Sequence, residues 1–174
     1  MSYTAKALAD SMILESKRRL GGECLPRILK CLGHLSDEEI WHRPNAETVS
    51  VGNLVLHLCG NVRQYIISAI GLQPDLRRRG EEFDERGPIP TAELIQRIAG
   101  TVREAEDIIG RMTPEDFLGV YRVQGAEETG MAIVLHVVEH FSYHTGQITH
   151  SVKSRKAVDM GYYAGIDLNV TGKD

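Results

Sequence analysis

The chain has 174 residues, enough for one domain that buries a core without disulfides or a structural metal. Its formal net charge of -4 argues against a nucleic-acid-binding surface, because phosphate binding needs a concentrated patch of Lys and Arg. No apolar run is long enough to cross a membrane, and the first residues lack the apolar core of a signal peptide. The cysteines are odd in number, Cys24, Cys31 and Cys59, which fits reduced thiols better than a disulfide framework. We therefore expect a cytoplasmic protein that binds neither membranes nor nucleic acids.

Helical periodicity begins near Thr4 and continues to about residue 32, with a break or kink expected at Gly21–Gly22. A capping box, Ser36 to Glu39, then predicts a short helical turn. The second long helix is expected to start after Ser50, a good N-cap, and to end before residue 71. Two more long helices are predicted over residues 91–112 and 130–155.

The connections differ in length. Residues 72–90 form a polar loop rich in Pro and Gly, and residues 113–129 begin with a short helix start and end in the ambiguous stretch VYRVQG. The tail GYYAGIDLNVTG lacks helical periodicity and is expected to be extended or docked on the body. These elements predict an all-α fold, a single four-helix bundle domain over residues 1–174 with long loops and an irregular C-terminal tail. The two long loops argue against a simple up-down-up-down topology.

Three histidines, His136, His140 and His144, recur every four residues in HVVEHFSYHTGQ on the last predicted helix. At 100° per residue they lie at the margin of the apolar face. A His-x-x-x-His pair is a common metal chelate because imidazoles at i and i+4 project side by side. A pair of histidines rarely suffices, so we expect a third ligand from another helix.

The second helix offers His57, which Asn53 and Asn61 flank at four-residue spacing. A polar stripe of this kind on a core helix needs partners, because buried polar groups without them are costly. If His57 faces His140 and His144 across the bundle, one metal ion would be the partner of the polar side chains on both helices. The alternative is that each histidine is an ordinary hydrogen-bonded core residue.

Other candidates have weaker patterns. We interpret His34, His42 and His150 as ordinary polar residues, because no partner pattern accompanies them. Cys59 is two residues from His57 and therefore lies on another side of that helix, which favours a core role. Glu139 lies roughly opposite the apolar face, so a carboxylate ligand from the last helix is not expected.

The stretches LVLHLCGNVRQYI around His57 and HVVEHFSYHTGQI resemble the DinB/YfiT-like superfamily of metal-binding four-helix bundles, and most closely a branch without an assigned function. The segments RRRGEEFDERGPIP and LSDEEIWHRP echo that branch, and the resemblance covers about residues 8–155. It implies one divalent ion, often zinc or nickel, held by His57, His140 and His144. Many relatives have Arg where this chain has Thr145, a change that removes a cation able to meet a substrate.

The resemblance also implies functions and partners. Homodimers are common, and characterised relatives include S-transferases and isomerases that use small thiols such as bacillithiol, mycothiol or glutathione. Our leading hypothesis is a metal-dependent transferase or hydrolase in which the ion activates a small thiol or water for a small-molecule substrate. Asn61 and Gln147 would orient ligands or substrate, and His136 would be an outer-shell or core histidine. Arg79 and Glu82 would line the entrance, unless their loop is only a solvated charged segment.

Two rival interpretations remain open at this stage. The protein could be a non-catalytic metal-binding or stress-response protein with a vestigial or sensory site. Alternatively, the histidines could satisfy only one another and a dimer interface.

Overall fold

The structure is a computed structural model that describes residues 4–172. Four long helices form its body: α1 over residues 5–32, α3 over residues 51–70, α5 over Thr91–Ile109 and α7 over Gly130–Lys156. Three short helices lie between them: α2 over Asp37–Trp41, α4 over Arg79–Asp84 and α6 over Pro114–Leu118. The predicted all-α fold is therefore confirmed. No helix among these residues is both long and apolar enough to cross a bilayer.

The four long helices surround one apolar core. Helix α1 packs against α5 and α7, and α3 also packs against α5 and α7, so α1 and α3 lie diagonally across the bundle. In a simple up-down-up-down bundle, helices that follow one another in sequence would be neighbours. The predicted departure from that topology is thus confirmed. Fully buried side chains fill the centre, among them Leu20, Ile28, Leu58, Ile98 and Phe141.

Helix α1 continues through Gly21–Gly22 with a local change of helix type, so of the predicted break or kink the break is wrong. The helix is α-helical over Ala5–Lys17 and Leu25–Leu32, and π-helical over Arg18–Cys24. The carboxylate of Glu106, from α5, lies where a Cβ at Gly21 would be. The glycine therefore serves close packing of α1 on α5 rather than interruption of the helix.

Helix α3 carries the first of the predicted site residues. The Ser50 side chain accepts a hydrogen bond from the N–H of Asn53, and the Asn53 side chain accepts one from the N–H of Ser50, which makes the capping box that starts the helix. The helix is α-helical over Val51–Val62 and π-helical over Arg63–Ile70. His57 is thus held in the regular part, where it is buried.

The connections contain structure that the sequence did not disclose. Residues 72–90, predicted as a loop, include the short helix α4. The ambiguous stretch VYRVQG contributes strand β1, Val120–Val123, which pairs antiparallel with strand β2, Ala126–Thr129. The tail after α7 is irregular, as predicted, and Tyr162 docks it on the bundle: its hydroxyl lies 2.9 Å from the Thr149 Oγ1 and 3.3 Å from the Cys31 Sγ.

Candidate metal centre

Three imidazoles meet between α3 and α7. The Nε2 atom of His140 lies 3.1 Å from the Nε2 of His57 and 3.2 Å from the Nε2 of His144. One ring nitrogen from each of the three histidines lies within 4.8 Å of the others. The structure therefore brings together the three residues that the sequence singled out, as a group that could hold a metal ion.

Two of the three rings have their other nitrogen bound to an oxygen acceptor. The Nδ1 of His57 lies 2.9 Å from Oε2 of Glu82, and the Nδ1 of His144 lies 2.7 Å from Oε1 of Gln147. A carboxylate and an amide oxygen can only accept, which assigns the proton to each Nδ1. For His57 this contact with Glu82 is shorter than the 3.3 Å between its Nδ1 and the Nη2 of Arg77. The Nε2 of both rings then has a free lone pair directed toward the common centre.

Arg77 holds Glu82 in place. Its Nε donates to Glu82 Oε1 at 2.7 Å and its Nη2 donates to Oε2 at 2.9 Å, a two-pronged ion pair. The Arg77 side chain is only 4% exposed, so this pair is shielded from water. Burial by itself raises the pKa of Glu82, but the hydrogen bonds from Arg77 and His57 outweigh it, and the pKa is lowered overall. Glu82 is therefore ionised at neutral pH and accepts from His57.

The ion pair fits against α3 because Gly60 has no side chain. A Cβ at Gly60 would overlap the carboxylate of Glu82 and lie 3.0 Å from the Nε of Arg77. Gly60 lies three residues after His57, close to the same face of the helix. The glycine thus leaves the space in which Glu82 reaches the imidazole.

Asn53, the first member of the polar stripe, anchors α4 rather than the metal group. Its Nδ2 donates to the backbone carbonyls of Glu82 and Glu85, both at 2.9 Å. Arg43 adds to this clamp by donating to Asn53 Oδ1 at 3.0 Å and to the Phe83 carbonyl at 2.6 Å. These bonds fix the segment that presents Glu82 to His57.

His136 and Asn61 form a second polar contact beside the three histidines. The Asn61 Nδ2 lies 3.3 Å from the His136 Nε2, and the His136 ring stacks on Tyr65 with centroids 4.3 Å apart. The ring of His136 is also 5.5 Å from that of His140. His136 therefore lies next to the three-histidine group but outside the set of converging nitrogens.

Burial favours the neutral form of His140 and His144. Loss of water, together with the neighbouring histidines His144 and His57, lowers the pKa of His140 to about 3. Burial also lowers the pKa of His144, although the hydrogen bond to Gln147 opposes this shift. Neutral imidazoles are the form that binds a metal ion, so the protonation state suits such a ligand.

The two loop residues predicted at the entrance have different positions. Glu82 is buried, so the solvated-loop interpretation does not describe it. Arg79 is exposed and lies over the Phe83 ring at 4.8 Å, and Phe83 packs on His57 with ring centroids 4.8 Å apart. Sequence reasoning missed Arg77 and Gly60. The spacing of Arg77 and Glu82 offered a weak signal, but the acidic residues nearby made the whole run look neutralised.

The donor set fits a metal ion. With metal–nitrogen distances of about 2.0–2.1 Å, the ligand nitrogens of a tetrahedral site are about 3.3 Å apart. Two of the three observed separations, 3.1 and 3.2 Å, are close to that value, and all three ligand nitrogens lie within 4.8 Å of one another. A ligating histidine whose second nitrogen donates to a carboxylate or amide oxygen is also a recurring arrangement around protein-bound metals.

Fold and site together define a class, that of helical bundles with a three-histidine group able to hold a metal ion. Residues 14–162 match a family described as "Protein of unknown function (DUF1572)", and the chain belongs to that family. The predicted resemblance to the DinB/YfiT-like superfamily is confirmed at the level of the fold.

The fold is shared with a solved structure. A DinB-like protein from Bacillus cereus superposes with a TM-score of 0.62 at 16% sequence identity, over 85% of this chain and 93% of that one. At this identity the likeness shows the architecture alone. No match was found among curated proteins.

Proposed function

We propose that the protein binds one divalent metal ion through the Nε2 atoms of His57, His140 and His144. The observation that carries the proposal is the convergence of these three nitrogens while two of the outward-facing Nδ1 atoms are bound to Glu82 and Gln147. That pattern fixes the tautomers of two rings so that their lone pairs face one point.

Hydrogen bonding among the histidines alone would satisfy this group less well. The Nε2 of His140 carries one proton at most, so it donates either to His57 or to His144. The remaining neighbour would then have a ring nitrogen without a hydrogen-bond donor, in a partly buried site. A cation accepts all three lone pairs at once, which favours the metal over the histidine-only alternative.

A divalent ion held by three imidazoles keeps an open position and lowers the pKa of a water or thiol that occupies it. On this basis we propose a metal-dependent transferase or hydrolase that acts on a small-molecule substrate. Zinc or nickel is the proposed metal, since imidazole suits both, and a low-molecular-weight thiol is the proposed cosubstrate of the transferase.

The protein's own residues would prepare this chemistry. Glu82 and Gln147 hold the rings of His57 and His144 in one tautomer and one orientation. Phe83 packs on His57, and the Tyr143 ring lies 5.0 Å from that of His144, so aromatic side chains limit the water around two of the three ligands. His136, held by Asn61, is the nearest additional imidazole and a candidate to hold or pass a proton.

Two further expectations complete the proposal. The three cysteines are free, which suits a reducing cytoplasm. We also propose a homodimer, which gel filtration at several protein concentrations would test.

The enzymatic claim is tested by turnover assays. Tag-free protein loaded with zinc or nickel is incubated with chlorodinitrobenzene and each of several cellular thiols, and separately with a para-nitrophenyl ester. We expect turnover that needs the metal, disappears in His140→Ala and persists in His34→Ala, a change of the same kind at an exposed position outside the site. If the protein retains its metal but no pair reacts, the activity claim fails and the non-catalytic metal-binding alternative is favoured.

A further inference from the structure

A cleft of about 970 Å³ runs along the exposed side of α7, beside the segment that leads into α3. Its volume lies within the range of small-molecule sites. The floor is apolar and includes Val51 and Leu54, while the wall from α7 is formed by Tyr143, Gly146 and Gln147. None of the three histidines of the metal group lines it, so the cleft is a separate feature of the surface.

Gly146 leaves this wall open. It lies in the middle of the 27-residue helix α7, where glycine is less favourable than alanine by about 1 kcal/mol. A Cβ at this position would meet nothing within 4 Å, so packing inside the protein does not require glycine here. A missing side chain on a cleft wall lets a ligand approach the helix backbone closely.

The polar groups of the cleft favour an anion. Arg155 lines it and forms no ion pair within residues 4–172. The imidazoles of His42 and His150 and the hydroxyl of Ser154 also line the cleft, with the Ser154 Oγ 3.4 Å from the His150 Nε2, whereas Glu47 is the one carboxylate of the lining. A guanidinium without an ion-pair partner, with imidazole and hydroxyl groups nearby, recognises a carboxylate or a similar anionic group.

The cleft is connected to the three-histidine group through two residues of its wall. Gln147 accepts the hydrogen bond from the His144 Nδ1 at 2.7 Å, and the Tyr143 ring is 5.0 Å from the ring of His144. A molecule that contacts this wall would therefore lie one side chain away from a proposed metal ligand.

We propose that this cleft binds a small organic anion with an apolar or aromatic body. The body packs on Tyr143, Leu54 and the open backbone at Gly146, and the anionic group lies toward Arg155. The binding site stands independently of any metal, whereas its role as the substrate site of the metal centre rests on the proposed function above.

The probe for this proposal is para-(trifluoromethyl)benzoate, and its binding is measured by fluorine NMR. Metal-free protein is used first, because a carboxylate also binds metal ions directly. We expect saturable binding that is about tenfold weaker in Arg155→Gln, since a charge-assisted contact is lost. Gly146→Leu would fill the wall and weaken binding at least as much, while favouring the helix. Lys153→Gln makes the same charge change on α7 outside the cleft and should bind like the wild type.

Three results would overturn the proposal. One is equal or tighter binding of para-(trifluoromethyl)benzylammonium, which has the same body and a positive charge. Another is unchanged benzoate binding in both cleft variants. The third is the absence of binding together with a change of oligomeric state in Gly146→Leu, which would make this face an interface between two copies. Binding that persists in His57→Ala, which removes a proposed metal ligand, would separate failure of the metal proposal from failure of the cleft.

Discussion

The Oε2 of Glu82 lies 2.9 Å from the Nδ1 of His57, although 25 residues separate them in sequence. This contact joins the segment after α3 to the histidine that α3 contributes to the candidate metal centre. Because Glu82 is ionised and paired with Arg77, it fixes which His57 nitrogen carries the proton. The affinity for metal should therefore depend on residues that would not touch the ion.

Removing the charge of Glu82 tests this dependence. In Glu82→Gln the His57 ring loses its carboxylate acceptor and Arg77 is left buried without a counter-ion, so metal affinity should fall about 10- to 100-fold. Competition against a chromophoric chelator measures the affinity. Glu81→Gln is the matched control, since Glu81 is exposed and, among residues 4–172, forms an ion pair only with Arg78. Equal affinities of Glu82→Gln and the wild type would contradict the account.

Gly60→Ala tests the space beside α3. The new methyl group would overlap the Glu82 carboxylate, so the side chain must move away from His57. We expect weaker metal binding and no gain in stability, although Gly→Ala within a helix usually stabilises by about 0.5–1 kcal/mol.

Gly100→Ala is the control for this glycine substitution, because a Cβ there meets nothing within 4 Å. It should give the ordinary gain in the free energy of unfolding and leave metal affinity unchanged. A Gly60→Ala variant that binds metal like the wild type would show that the position of Glu82 does not matter.

The pH dependence of the free energy of unfolding should reflect the ionisation of Glu106. Burial raises its pKa above 4.5, with Lys17 opposing and Asp107 adding to the shift. The folded state therefore holds this proton more tightly than the unfolded state, so the stabilisation is full below the unfolded pKa and is lost as pH rises through the folded pKa.

Urea unfolding at a series of pH values from about 4 to about 7 tests this sign. Wild type should lose stability relative to Glu106→Gln as pH rises, whereas Glu128→Gln, a change at an exposed carboxylate, should follow the wild type. A wild type that gains stability relative to Glu106→Gln over this range would show that the sign is wrong.

The tail should contribute to stability through Tyr162. Tyr162→Phe removes the hydroxyl that contacts Thr149 and Cys31, at a cost of about 1 kcal/mol in the free energy of unfolding. Tyr163→Phe is the control, because Tyr163 is half exposed and its hydroxyl accepts only a 3.3 Å bond from Arg27. Equal unfolding curves for the two variants would mean that the tail docks without help from this hydroxyl.

Local geometry explains which parts of the fold and site were predictable. The periodicity of apolar residues and the caps such as Ser50 determine helices within a few residues, so the four long helices could be predicted. The His140–His144 pair also follows from one helical turn. His57 could be added because a polar stripe on a core helix calls for a partner.

The surroundings of His57 depend on contacts that no local rule predicts. Arg77 and Glu82 lie in a segment whose charges appear balanced in sequence, and only the folded loop turns both inward. In the sequence, Gly60 is only a residue of low helix propensity. Its role follows from the Glu82 carboxylate that packs against it in the structure. Gly21 was misinterpreted for the same reason, because the long-range contact with Glu106 explains it better than a helix break.

The central claim is that His57, His140 and His144 hold one divalent metal ion. Elemental analysis of tag-free protein, purified without added metal or chelator, tests it most directly. We predict close to one zinc or nickel ion per chain in the wild type and in His150→Ala, and loss of that metal in His57→Ala, His140→Ala and His144→Ala while the helical circular dichroism persists. A wild type without bound metal, or three alanine variants that retain it, would contradict the claim.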